Sequence, residues 1–165
     1  MRKLTLSFLA VAALSATPLL AQTTGGASGS GTLEAGRNFS FSARINADGT
    51  ATGQATLVNR AFTGENEHSP YQLHVDISCG KLLDDHTAIF GGSTRRTNDP
   101  NLVDAVYFSV QDNGEPGAGK DMISRAFFFD DDPSTTGSPA LCLGSTLADL
   151  PLETIESGNI QVRSR

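Results

Sequence analysis

The segment QDNGEPGAGKD, from Gln111 to Asp121, carries the densest set of side chains suited to chemistry in this chain. Four of its residues offer hard oxygen ligands: Asp112, Asn113, Glu115 and Asp121. Calcium takes six to eight such oxygens in irregular geometry, and the intervening glycines let backbone carbonyls turn inward. The pattern predicts a calcium site, although not an EF-hand, because Gly114 and Pro116 occupy the third and fifth positions counted from Asp112.

The same segment has a second interpretation as a plain turn between two strands. Asp112-Asn113-Gly114 supplies residues that tolerate positive φ, and Pro116-Gly117 favours a second turn. Both interpretations stay open at this stage, because turns and ion sites use the same residue types.

Other chemistries have weaker sequence signals. The histidines His68, His74 and His86 show neither the HxH nor the HExxH spacing of a transition-metal site. No serine stands in a strand-to-helix elbow, and no phosphate-binding loop precedes a helix. The sequence therefore assigns no catalytic residue and no cofactor other than calcium. The first hypothesis is a non-enzymatic secreted β domain with a binding or structural role, and the alternative is a secreted hydrolase using loop carboxylates as acid and base.

Strands of period two are expected to position this segment. Phe39, Phe41, Ala43 and Ile45 alternate with polar residues, and Asp48-Gly49 then favours a hairpin to the stretch ATGQATLVN.

In the stretch YQLHVDISC, the apolar residues Tyr71, Leu73, Val75, Ile77 and Cys79 alternate with polar ones. This pattern predicts a half-buried antiparallel strand with Cys79 on its core face.

Four later stretches also predict strands, and the calcium candidate joins the second of them to the third: TAIFGG, VDAVYFSVQ, MISRAFFF and NIQVRS. MISRAFFF is read as one strand from Met122 to Phe129, and Phe127–Phe129 place aromatic rings on both of its faces. With about eight strands and no convincing amphipathic helix, the chain is expected to be all-β, an antiparallel sandwich or small closed barrel.

Cys79 and Cys142 are the two cysteines of the chain. In an oxidising compartment such a pair predicts one disulfide, and a loop of this length stabilises by about 4 kcal/mol in the chain-entropy model. Two buried free thiols, or a reactive one, are the competing interpretation.

The N-terminus has the layout of a secretory signal peptide, with Arg2 and Lys3 before an apolar stretch and Ala21 at the cleavage point. The expected organisation is a signal peptide over 1–21, a flexible Gly/Ser-rich tether over 22–30 and a single β domain over 31–165. We expect a secreted or periplasmic protein with no membrane span after cleavage.

Loss of Arg2 and Lys3 with the signal peptide changes the formal charge from −6 to −8. This sign disfavours nucleic acid as a partner, since phosphate backbones are repelled. The expected partner is an extracellular or periplasmic ligand of undetermined class.

Several stretches resemble those of a group of small secreted bacterial proteins, hypothetical or post-COAP-domain-like, that have no established activity: FSFSARINADGTATGQATLVN, VDISCGKL, AIFGG, VYFSVQDNGEPGAGKD and SGNIQV. The resemblance covers most of Phe39 to Val162, and DNGEPG followed by Asp121 is its most specific element. It implies a compact secreted β domain and no particular catalytic residue.

Overall fold

Alternating sequence patterns become ten β-strands in the computed structural model, which describes residues 23–60, 71–98, 105–125, 127–128 and 139–165. The elements, in chain order, are β1 (Thr23–Leu33), a 3-10 turn (Glu34–Gly36), β2 (Arg37–Asn46), β3 (Thr50–Asn59), β4 (Tyr71–Leu82), β5 (Thr87–Thr97), β6 (Ala105–Gln111), β7 (Met122–Ser124), β8 (Phe127–Phe128), α1 (Pro139–Gly144), β9 (Leu152–Thr154) and β10 (Ser157–Ser164).

All strand pairs described are antiparallel and belong to one sheet, in the order β10-β1-β2-β3-β4-β5-β6-β7-β9, with β8 also paired to β6. The sheet is curled into a half-barrel. The all-β, antiparallel part of the prediction is confirmed. The described strands make one curled sheet, whereas a sandwich would need two.

The concave face of the sheet holds the main hydrophobic core. The predicted inward side of β2 is confirmed, because Phe39, Phe41, Ala43 and Ile45 are all buried there. Four rings from three strands meet in this core, with neighbouring centroids 5.7 to 6.3 Å apart: Phe39, Phe41, Phe90 and Phe108. Offset and edge-on aromatic contacts of this kind add to the stabilisation from apolar burial.

The predicted tether over 22–30 is wrong for Thr23–Ser30, which form most of β1 between β2 and β10. The inward positions of β1 include Gly29 and Gly31, and a Cβ there would press against the rings of Phe41 and Phe39, respectively. The neighbouring strands therefore supply the apolar bulk that β1 lacks. The β domain includes Thr23–Ser30, while the predicted signal peptide and Gln22 lie outside the described residues.

Cys79 is buried, but the prediction that it shares the core face of Leu73, Val75 and Ile77 is wrong. Between Ile77 and Cys79 the β4–β5 register shifts by one residue, so β4 carries an extra residue at Ser78. Such a bulge reverses which side chains face the core. Cys79 consequently points to the convex side.

A second, smaller cluster lies on that convex side, under α1 and the segment that follows it. Its members are Cys79, Ile89, Ala105, Tyr107, Cys142 and Leu150. The predicted disulfide between Cys79 and Cys142 is confirmed, and it fixes α1 to β4. Described residues contain no free cysteine.

The strand predicted over Met122–Phe129 is divided into β7 and β8, and Arg125 between them is not in a strand. Both parts pair with β6, but five residues of β6 (Val106 to Val110) face six of the partner (Ile123 to Phe128). One extra residue in the partner therefore interrupts the strand. The side chains of Phe127–Phe129 fall outside the described part, so their predicted two-sided placement stays a prediction.

Among the described residues, no helix is both long enough and apolar enough to cross a membrane.

Candidate functional site

The segment between β6 and β7 is held in shape by turn hydrogen bonds. The Gly114 N–H donates to Asp112 Oδ1 at 2.9 Å, and the N–H groups of Lys120 and Asp121 both donate to the Gly117 carbonyl. Gly114 and Gly119 have φ of 88° and 76°, a region that favours glycine. The turn chemistry expected of this sequence is therefore present.

Asp121 is completely buried, and both of its carboxylate oxygens accept backbone N–H groups. Oδ1 accepts from Asn113 at 2.8 Å, and Oδ2 accepts from Ile160 at 2.7 Å. The first bond closes the loop on itself, and the second joins the loop to β10. The backbone of Asp121 also contacts the segment between β9 and β10, because the Ile155 N–H donates to the Asp121 carbonyl at 2.9 Å.

Asp112 makes a second connection to the same strand. Its Oδ2 accepts the Val162 N–H at 3.2 Å, two residues beyond Ile160 on β10. Residues two apart on a strand direct their N–H groups to the same edge. The other edge of β10 is paired with β1.

Asp112 and Asp121 thus take the place of the carbonyl acceptors that a neighbouring strand would offer to β10. We call this pair the carboxylate latch. Charge-assisted hydrogen bonds are stronger than neutral ones, and satisfying an exposed strand edge also prevents its pairing with another chain.

Three further residues surround the latch. The Asn159 Nδ2 donates to Glu115 Oε1 at 2.8 Å, while Asn159 Oδ1 is buried without a hydrogen-bond partner among the described residues. A Cβ at Gly117 would overlap both the Asp121 carboxylate and Asn159. Position 117 therefore admits only glycine without a shift of this loop.

A groove of about 730 Å³ runs beside the latch, between the β4–β5 turn, the β6–β7 loop and β10. Its polar lining consists of Asp84, His86, Thr87, Gln111, Asp112, Asn113, Glu115, Gln161 and Arg163. The pKa of Asp84 lies below its ordinary value, chiefly because the His86 backbone N–H donates to its carboxylate at 2.8 Å. Asp84 therefore stays ionised at neutral pH and adds negative charge to the groove.

Three of the four predicted calcium ligands meet in this groove: Asp112, Asn113 and Glu115. Asp121 lies beneath it, with both oxygens engaged by the backbone. Within the described ranges, no group of three or more His, Cys, Asp or Glu side chains is arranged to hold a metal ion. Calcium at this loop stays a prediction.

Sequence reasoning missed Asp84, which reaches the groove from a different hairpin. The nearby His86 gave the only signal, since both belong to the acidic β4–β5 turn. Of the other histidines, His74 lies on the convex face of β4 with its Nδ1 3.1 Å from Thr56 Oγ1, and His68 falls outside the described residues.

A separate ion-pair cluster links β9 to the start of β2 and to the residue that follows its neighbour β7. Glu153 accepts hydrogen bonds from Arg37 at the start of β2 and from Arg125 after β7. The pKa of Glu153 is lowered from its ordinary value, first by the Arg37 hydrogen bond and further by Arg125, against an opposing effect of burial. The Arg37–Glu153 pair is therefore a second connection across the curled sheet, from β9 to β2.

Comparison with known proteins does not assign this chain to a family. No family model matches the chain, and searches of curated proteins and of solved structures returned no match.

Proposed function

We propose that this chain is an exported, non-enzymatic β domain with a binding or structural role, in which the 112–121 loop closes the sheet. The observation that carries the proposal is the carboxylate latch: Asp112 and Asp121 each place an oxygen on the free edge of β10. Carboxylates engaged in holding the backbone are poorly placed to exchange protons with a substrate. In this proposal the latch completes a small closed barrel.

Export is part of the same proposal. The disulfide is compatible with an oxidising compartment, and the sequence before Gln22 has the pattern of a signal peptide. The resemblance to small secreted bacterial proteins points in the same direction.

The polar groove is the proposed binding surface, and calcium is its first proposed ligand. Asp84, Asp112 and Glu115 bring three carboxylates to the lining, and the amides Gln111, Asn113 and Gln161 bring further oxygens. A hard cation that tolerates irregular oxygen ligands suits this chemistry. An ion held there would also stabilise the latch next to it.

Thermal unfolding of the oxidised protein tests this, first with millimolar calcium and then with chelator. An ion present at a hundred times its Kd adds about 2.7 kcal/mol, which raises the Tm by several degrees. The informative variant is Asp84→Asn with Glu115→Gln, because the amides remove charge but keep the acceptor oxygens for His86 and Asn159.

The matched control is Asp48→Asn, at an exposed turn remote in sequence from the groove-lining residues. We expect calcium to raise the Tm of the wild type and the control but not that of the double variant. An unchanged wild-type Tm would remove calcium from the proposal and leave the latch as a purely structural device.

The hydrolase alternative has one observation in its favour. Asp84, Glu115 and His86 line the same groove, so an acid and a base are present on one surface. A screen of glycoside and ester substrates decides between the two functions. Turnover that is lost in Asp84→Asn and Glu115→Gln would replace the binding role by catalysis.

A further inference from the structure

An arginine pair flanks a glycine on the convex face of β10, β1 and β2. Gly26 on β1 is directly opposite Arg163 on β10 and Arg44 on β2. Directly opposed residues put their side chains on the same face of a sheet. The adjacent row, Ala27 with Val162 and Ala43, is buried in the core, so the arginine row faces away from it.

Because Gly26 has no side chain, the space between the two arginines on the surface of β1 is open. Strands lie about 4.8 Å apart, so the Cα atoms of Arg44 and Arg163 are about 10 Å apart across β1. A Cβ at Gly26 would overlap the Ala43 carbonyl, which means that the close approach of β2 keeps this position a glycine. Two guanidinium groups on long side chains can converge above Gly26.

The arginines border a shallow depression of about 290 Å³ that Arg165 and Gln161 also line. Arg163 Nη2 donates to Gln161 Oε1 at 2.8 Å, which restrains this guanidinium. The Arg165 N–H donates to the Thr24 carbonyl at 2.8 Å, which places a third arginine beside the depression.

These three cations lack acidic partners in the described part of the chain, where ion pairs involve Arg37, Arg95 and Arg125. All three are exposed, on a protein whose formal charge after loss of residues 1–21 is −8. A concentrated positive surface on an acidic protein is complementary to an anionic ligand.

The surface that continues from the arginines is polar. The next two rows across the same strands consist of exposed serines with amides: Gln161, Ser28 and Ser42, followed by Asn159, Ser30 and Ser40. Short hydroxyl side chains leave room for a chain to lie across the strands, and they donate and accept hydrogen bonds to hydroxyl groups.

From this arrangement we propose that the convex face of β10, β1 and β2 binds an acidic polysaccharide. Its carboxylate or sulfate groups are held between Arg44 and Arg163, because guanidinium groups bind planar oxyanions in a bidentate manner. Its hydroxyl groups lie on the serine rows. This surface shares Gln161 and Arg163 with the rim of the calcium groove, but the proposal depends on neither the latch nor the ion.

Isothermal titration of the oxidised protein with polygalacturonate, dextran sulfate and neutral dextran tests the proposal at low and high salt. We expect binding of at least one polyanion, none of neutral dextran, and weaker binding in high salt because salt screens exposed charges. Arg44→Gln with Arg163→Gln should weaken binding at least tenfold.

The matched control is Arg95→Gln with Arg96→Gln, which removes the same number of positive charges from exposed positions of β5 and should leave affinity within twofold. Arg44→Gln alone, which leaves the Arg163–Gln161 hydrogen bond intact, should show a smaller but measurable loss. The two polyanions distinguish a carboxylate ligand from a sulfate ligand. Absence of binding to both, equal losses in the two pairs, or equally tight binding of inorganic phosphate would overturn the proposal.

Discussion

Asp121→Ala tests whether a buried carboxylate holds the last strand in place. Asp121 has no exposed surface and accepts N–H groups from Asn113 at 2.8 Å and Ile160 at 2.7 Å. The variant leaves the buried Ile160 N–H and the partly buried Asn113 N–H without their acceptor. Hydrogen bonds to a charged group contribute about 1.5–3 kcal/mol each, so the expected loss in the free energy of unfolding is about 3–6 kcal/mol. That is a large fraction of the roughly 5–15 kcal/mol that stabilises a domain.

Asp121→Asn keeps the test informative if the alanine variant does not fold. An asparagine retains one acceptor oxygen but places an NH₂ group opposite the second donor, so the expected loss is about half as large. Urea unfolding with the disulfide intact gives the stability, and hydrogen exchange of the Ile160 amide reports whether β10 is released locally.

Asp48→Ala is the matched control. Asp48 also accepts two hydrogen bonds, both from Thr50, at 2.9 Å to the N–H and 2.6 Å to Oγ1, but in an exposed turn. Water replaces a lost exposed acceptor, so we expect a much smaller change. Equal losses for Asp48→Ala and Asp121→Ala, or unchanged exchange at Ile160 in Asp121→Asn, would refute the role assigned to the latch.

Three other predictions follow from named contacts. Gly117→Ala forces a methyl group against Asp121 and Asn159 and should lower the free energy of unfolding in urea by about 1–3 kcal/mol. An unchanged urea midpoint would show that position 117 is not crowded. Replacing Cys79 and Cys142 by alanine removes a cross-link between residues 63 apart in sequence and should lower the free energy of unfolding by about 4 kcal/mol. Reductant should then have no added effect on the stability of the variant. Glu153 has a lowered pKa, so its contribution is present above its ordinary value near 4.5 and is lost as pH falls through the lower folded value. Glu153→Gln should therefore be less stable than wild type at pH 7, and the difference in stability should shrink in acid. A constant difference from pH 7 to pH 3 would show that the ion pair with Arg37 does not cause the loss of stability.

The latch gives the 112–121 loop a role that its composition did not reveal. The local sequence predicts Asp112 and Asp121 to be ligands of one ion, because carboxylates close in sequence often share an ion. In the fold, each carboxylate also reaches a different N–H group on β10, about forty to fifty residues away in the chain. The distinction depends on where β10 lies, and no local pattern encodes that position.

The sequence by itself determined the local features of this protein. Alternation of period two placed the inward faces of β2 and most of β4, Asp48-Gly49 set the β2–β3 hairpin, and the pairing of Cys79 with Cys142 followed from there being two cysteines. These features are readable because side-chain period, turn conformation and disulfide chemistry involve near neighbours or a unique partner.

The tertiary structure decided the features that depend on distant residues. The glycine-rich segment Thr23–Ser30 is a strand because Phe39 and Phe41 of β2 fill the space beside it. Cys79 faces the convex side because pairing with β5 introduces a bulge that the alternation of β4 alone does not show. Burial and register are properties of a pair of strands, so one strand's sequence specifies its period but not its neighbours, and the neighbours decide what each face contacts.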